Sequence, residues 1–196
     1  MSDTNTMIGG SIRTVRLGTG MSLREVAKQA GIPEERLEKI EAREINPSLG
    51  LIVRFAEIFG VPVGKLMGDS ADSSFCIVRR NAGTAVSRFA AANGRTAGYS
   101  YEGLAQQKKD RQMEPFLVTL DPNEVHTIEP SEHVGEEFIF VLTGRVQVTL
   151  LEHTDVLKPG DSIYFDSSLP HIVVCEGDEP ATILAVIHVK YEMIIL

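Results

Sequence analysis

The chain has no tryptophan, only two cysteines, and a deficit of basic residues. It also lacks any apolar run approaching the roughly 20 residues that a membrane helix needs, so no membrane span is expected. Cys76 and Cys175 stand far apart without zinc-ligand spacing, which excludes a disulfide framework and a zinc finger. The first residues carry neither a basic start nor an apolar h-region, so no secretory signal peptide is expected. Together these absences make a reduced, cytoplasmic setting the expected one. Lys and Arg number 19 against 27 Asp and Glu, for a net charge of -8. The imbalance lies in one part: residues 1–70 hold nine of each sign, whereas residues 71–196 hold ten basic and eighteen acidic. The C-terminal part therefore repels nucleic acid, and the N-terminal part is neutral toward it.

What is present divides in two. Residues 8–67 read as short helices. Residues 11–17 form the first. Ser22 with Glu25 three later makes a capping box that opens a second, which Gly31 closes as a residue of left-handed backbone. Pro33 starts a third at its favoured first position, with Leu37 and Ile40 inward. Asn46-Pro47-Ser48 breaks the chain, and Ser48 caps a fourth helix with Leu51, Ile52, Phe55, Ala56 and Phe59 as its apolar stripe. Residues 63–67 make a last short helix. Two helices joined by a tight glycine-containing turn form a helix-turn-helix.

Residues 68–75 are small and polar and read as a flexible linker. Beyond them the helical period gives way to strand-like runs at residues 75–80, 84–89, 116–120, 125–128, 137–142, 146–151, 162–165, 171–174 and 181–189. Turn signals such as Asp121-Pro122-Asn123, Thr143-Gly144 and Pro159-Gly160-Asp161 separate several of them. That density of short strands suits an all-β barrel or sandwich. The expected domains are 1–67 helical, 68–75 linker and 76–196 all-β.

Within the β part, His133 and Glu137 stand four apart, and His171 follows a proline in a later run. On a regular strand Ser131, His133 and Glu137 share a face. Two imidazoles and a carboxylate can hold a first-row divalent ion, Fe, Zn, Ni or Mn; they can equally hydrogen-bond each other or a ligand's polar group. Tyr99 and Tyr101 alternate as on a strand and either line the pocket or pack at its edge. Ile139, Val173 and Cys175 complete the candidate pocket with Ser131. Lys108, Lys109 and Arg111 either attract an anion or are solvated surface. His126, His153 and His188 have no matching slot.

The residues from Val125 to Cys175 resemble the two cupin motifs, G-x5-H-x-H-x3-E-x6-G and G-x5-P-x-G-x2-H-x3-N. His133, Glu137, Gly144, Gly160 and His171 keep their intervals, while Val125, Ser131, Asp166, Ser168 and Cys175 replace the remaining identities. The resemblance implies a cupin barrel with a ligand or metal site. The helical part resembles the XRE family of repressor-like helix-turn-helix domains through Ile12-Arg13-x2-Arg16, residues 22–27, Ala30-Gly31-Ile32, Leu37-x2-Ile40-Glu41, Asn46-Pro47-Ser48 and Phe59-Gly60-Val61. It implies an operator of double-stranded DNA, read by Glu34, Glu35, Arg36 and Lys39 with Ser22, Arg24 and Arg43 beside them. Arg13, Arg16 and Lys28 are further phosphate contacts or simply solvated. Acidic residues early in a helix also suit its dipole, which gives Glu34 and Glu35 a structural explanation. A homodimer follows from half-site geometry, and a small-molecule ligand from the cupin.

The same layout is similar to that of the hydroxypropylphosphonate epoxidases. That resemblance implies iron held by two His and one Glu and a Tyr-x-Tyr run at the substrate, which Tyr99 and Tyr101 match. Gly20 stands where it expects a helical-domain Lys, and Arg95 is the remaining candidate for the anion. The leading expectation is a ligand-sensing regulator, and the alternative is an iron oxygenase or epoxidase.

Overall fold

The computed structural model describes residues 7–67, 73–79, 85–87, 100–122 and 130–189. Five helices come first: α1 (Met7–Thr19), α2 (Leu23–Ala30), α3 (Glu34–Glu41), α4 (Leu49–Phe59) and α5 (Val63–Leu66). Local chemistry sets their ends. Ser22 Oγ accepts from the Glu25 N–H at 3.2 Å while Glu25 accepts from the Ser22 N–H at 2.8 Å, so the capping box is formed. Gly31 closes α2 at φ 69°, where a Cβ would be strained, and the chain turns at once into α3. Pro33 precedes α3 as its cap rather than occupying its first position, a shift of one residue. The first helix runs several residues longer than the spacing predicts.

The helices close over Ile12, Val26, Leu37, Ile40, Ile52, Phe55 and Leu66. Arg16, expected at phosphates, is instead buried: its Nε and Nη2 donate to the two Glu41 carboxylate oxygens at 2.6 and 2.8 Å, and Nη1 donates to the Met21 carbonyl at 3.0 Å. Glu41 raises the pKa of the guanidinium through that hydrogen bond, against the pull of burial. The pair ties α1 to the end of α3.

Two antiparallel sheets follow. One runs β1 (Ala85–Ser87), β2 (Ser100–Gly103), β3 (Met113–Leu120), β9 (Ala181–His188), β4 (Glu136–Thr143) and β7 (Ser162–Asp166) in spatial order; the other runs β6 (His153–Leu157), β5 (Val146–Leu150) and β8 (His171–Cys175). Strands β3, β4 and β9 alternate buried and half-buried residues, with Phe116, Val118, Ile139, Val141, Ile183 and Ile187 inward. Strand β3 continues back through Pro115 to Met113. Pro115 sits one step beyond the last β2 pair, Gly103 with Phe116, and its carbonyl accepts from Leu104 on that same side. The missing N–H therefore costs no bond to β9.

Two differences from the expected strands have physical reasons. Residues 75–79 form no strand: Phe75 and Ile77 are 68% and 62% exposed and have no ladder partner. Strand β6 was absent from the expected runs because it is a polar, exposed edge. Its hairpin turns on Leu151, a non-glycine residue at φ 53°, so no turn residue announces it. The proposed strand at 125–128 and residues 68–72 of the proposed linker lie outside the described residues, while Ser73 exchanges backbone hydrogen bonds with Gln107 and Lys109.

Candidate metal and ligand site

Glu137 is the second residue of β4, held in register between Phe165 of β7 and Ile187 of β9. Its side chain faces inward. His171 opens β8 opposite Leu150, and its backbone exchanges two hydrogen bonds with Ser131, at 2.7 and 2.9 Å. Ser131 and His133 do not lie on β4, as a regular strand would require. The chain departs from strand geometry at Gly135, φ 115°, and His133 is placed instead by its N–H donating to the Ser167 carbonyl at 2.9 Å. The three side chains still converge.

His133, Glu137 and His171 are 3%, 6% and 4% exposed, and one donor atom from each lies within 4.8 Å of the others. Glu137 Oε2 is 3.5 Å from His133 Nε2 and 3.8 Å from His171 Nε2, too far for good hydrogen bonds. His171 Nδ1 lies 2.8 Å from the Leu169 carbonyl, an acceptor only, so that nitrogen carries the proton and Nε2 presents a lone pair. Burial lowers the His171 pKa, which keeps the ring neutral near pH 7. His133 Nδ1 faces the Val134 carbonyl at 3.5 Å, and its buried Nε2 has no hydrogen-bond partner. The His171 lone pair, the unpartnered His133 Nε2 and a carboxylate thus face one another. A cation resolves that arrangement, and the donor set fits one. Ser167 Oγ is also buried without a partner, on the segment that pairs with His133.

Around these three, Ile139 and Val173 follow Glu137 and His171 by two residues on the same strand faces, Ile139 fully buried and Val173 half-buried. Cys175 is four residues along β8 from His171, about 13 Å at strand rise, and its thiol donates to the Glu179 carbonyl at 3.0 Å. Tyr101 is buried, and its hydroxyl donates to the Pro47 carbonyl at 3.4 Å. Tyr99, Arg95 and His126 lie outside the described residues. Arg111 is committed to Glu114, with bonds of 2.8–3.1 Å, and to the Ala105 and Lys108 carbonyls. His153 is exposed on β6, and His188 Nδ1 is 3.7 Å from Glu136 Oε2, apart from the three converging residues.

The cupin motifs do not contain the residues that lie over Ser131 and His133. These come from the helical part. A Cβ on Gly50, in the first turn of α4, would stand 2.7 Å from Ser131 Cβ and 3.1 Å from His133 Cδ2. Ser48 Oγ, which caps α4, lies 3.3 Å from Ser131 Oγ. Two turns on, Glu57 Oε1 accepts from the Val134 N–H at 2.9 Å. A glycine inside a helix costs up to about 1 kcal/mol relative to alanine, and that local cost is the only mark the contact leaves in the sequence.

In the helical part, Arg24, Glu34, Glu35, Lys39 and Arg43 are exposed and Arg36 is half-buried. Ser22 is committed to its cap, and Glu35 pairs with Lys39 at 2.7 Å.

A helix-turn-helix family model matches residues 12–66 and a cupin-domain model matches residues 116–187. The HTH-type transcriptional regulator PuuR of Escherichia coli (strain K12) is 21% identical over 171 residues, 87% of this chain and 89% of that protein. The solved structure of an HTH_3 family transcriptional regulator from Vibrio cholerae superposes with a TM-score of 0.60 at 21% identity, over 94% of this chain and 96% of that one. Hydroxypropylphosphonic acid epoxidase from S. wedmorenis, in complex with fosfomycin, gives a TM-score of 0.45 at 22% identity over 95% and 100%, too loose to bear on function. Residues 12–66 are thus a helix-turn-helix domain of the XRE type and residues 116–187 a cupin domain, the two joined in one chain as expected from their motifs.

Proposed function

We propose that the chain is a cytoplasmic transcriptional regulator that binds operator DNA as a homodimer and senses a small molecule in its cupin domain. The domain limits we assign are 1–67, 68–75 and 76–196. The observation that carries the DNA reading is α3: Leu37 and Ile40 are buried while Glu34, Glu35 and Lys39 stay exposed, on the second helix of a helix-turn-helix. One such helix reads one half-site, so two copies related by a two-fold axis read a palindrome. Ser22, Arg24, Arg36 and Arg43 belong to the same proposed contact set. Footprinting of the full chain on DNA from its own upstream region should protect a palindromic site. No protection at low salt, with or without added divalent ion, overturns this reading.

In the cupin domain, His133, Glu137 and His171 would hold a divalent ion, with Ser131, Tyr99, Tyr101, Ile139, Val173 and Cys175 as the proposed pocket. A bound ion would supply a Lewis-acid site for an anionic or polar group of the ligand. The protein's own part is to fix the His171 tautomer through the Leu169 carbonyl and to exclude water by burial. The same donor set occurs in non-haem iron oxygenases. Under that second reading purified, iron-loaded protein turns over a substrate, and His133→Ala abolishes turnover.

The acidic start of α3 makes a further prediction. Two carboxylates there weaken attraction to phosphates, and the domain carries no net positive charge to offset them. Replacing Glu34 and Glu35 together by Gln should raise affinity for non-specific duplex by about tenfold and steepen its salt dependence. Unchanged non-specific affinity in an anisotropy titration would place both side chains away from DNA.

A further inference from the structure

Among the described residues, two short stretches of the helical domain reach β2 and the segment that carries the site. Residues 47–50 touch Tyr101, Ser131 and His133; Glu57, on the same helix, holds the Val134 N–H. Gly50 is buried, and any side chain there would overlap Ser131. The approach is to the Cδ2 edge of the His133 ring, and Cδ2 is bonded to the unpartnered Nε2. Helix α4 is also fixed within its own domain, where it packs against α1, α2 and α5 and buries Ile52, Phe55 and Ala56.

The geometry points to the first turn of α4 as the roof of the cupin pocket, so that an occupant of the His133, Glu137 and His171 site is read directly by the DNA-binding domain. This rests on the ion-holding reading above. Gly50 is then a specificity-determining residue: it sets the clearance over Ser131 and His133. An occupant that needs room on the Ser131 side must lift α4. Helix α4 packs on α2, and α2 packs on α3, so a lifted roof alters how the recognition helices of the dimer are presented. A ligand shifts that balance only by binding the lifted arrangement better than the closed one.

The test uses the full chain and cobalt(II) as the probe. Calorimetry reports whether the ion binds, and hydrogen exchange reports the amides of residues 46–52. Saturating cobalt(II) should speed exchange of that stretch by at least about threefold, and His133→Ala should abolish the change. Gly50→Ala should remove the cobalt-dependent difference by propping the roof open in the ion-free protein. Glu57→Ala should do so in part, and it introduces no overlap should Gly50→Ala fail to fold. If cobalt(II) binds and exchange at residues 46–52 is unchanged or slower, the roof inference fails while the ion site stands. If no cobalt(II) binds, the ion-holding reading fails and takes the inference with it.

Discussion

Replacing Glu41 by Gln should melt the helical domain at least about 10 °C below the parent chain, followed by circular dichroism at 222 nm. Glu41 and Arg16 are both 7% exposed, and the guanidinium spends Nε and Nη2 on the carboxylate and Nη1 on the Met21 carbonyl. Removing one partner of such a pair leaves a buried charge uncompensated, which costs about 3–5 kcal/mol. For a domain of this size each kcal/mol shifts Tm by about 4–8 °C. Replacing both residues by apolar ones, Arg16→Met with Glu41→Leu, should recover much of the loss, since desolvation of the ions is then no longer required. A single variant that melts within about 2 °C of the parent would mean the pair is solvated rather than buried.

The sequence read Arg16 as a basic residue on a DNA-binding domain, with phosphate or solvent as its partner. Its partner is 25 residues away, and no local pattern couples the two. By contrast the capping box, the Gly31 turn and the inward Leu37 and Ile40 were legible because each is a local rule about adjacent residues. The same division runs through the cupin domain. Strands β4, β8 and β9 announce themselves by apolar content, and the motif intervals bring His133, Glu137 and His171 together despite the replaced identities. Strand β6 and the stretch 75–79 are not legible in composition, because exposure and pairing decide them. The roof formed by residues 47–50 is the least legible feature, since it joins two domains that the sequence presents as separate.

His133→Ala should lower cobalt(II) affinity by at least about 100-fold. Loss of an outer partner of a metal-bound His alone costs 10–100-fold, and here one of three donors would disappear. His133 Nε2 is buried with no hydrogen-bond partner, so the substitution removes a nitrogen that makes no hydrogen bond elsewhere in the fold. Stability should therefore change little beyond the lost ring packing against His171, whose centroid lies 5.3 Å away. His188→Ala is the control: it removes an imidazole beside Glu136, away from the site, and should leave the affinity unaltered. Equal binding by the parent and His133→Ala would show that the ion sits elsewhere, and a loss with His188→Ala would move the site outward.

The central claim, that one chain couples an ion-holding cupin pocket to operator recognition, is tested most directly by anisotropy titration of a labelled fragment of its own upstream DNA. Full-length protein would be titrated ion-free and with saturating cobalt(II), alongside His133→Ala. The account predicts salt-sensitive, specific binding whose affinity differs between the two forms by at least about fivefold. The His133→Ala chain should bind the DNA and show no such difference. Superimposable curves for the ion-free and cobalt-loaded protein, or no binding by either, would contradict it.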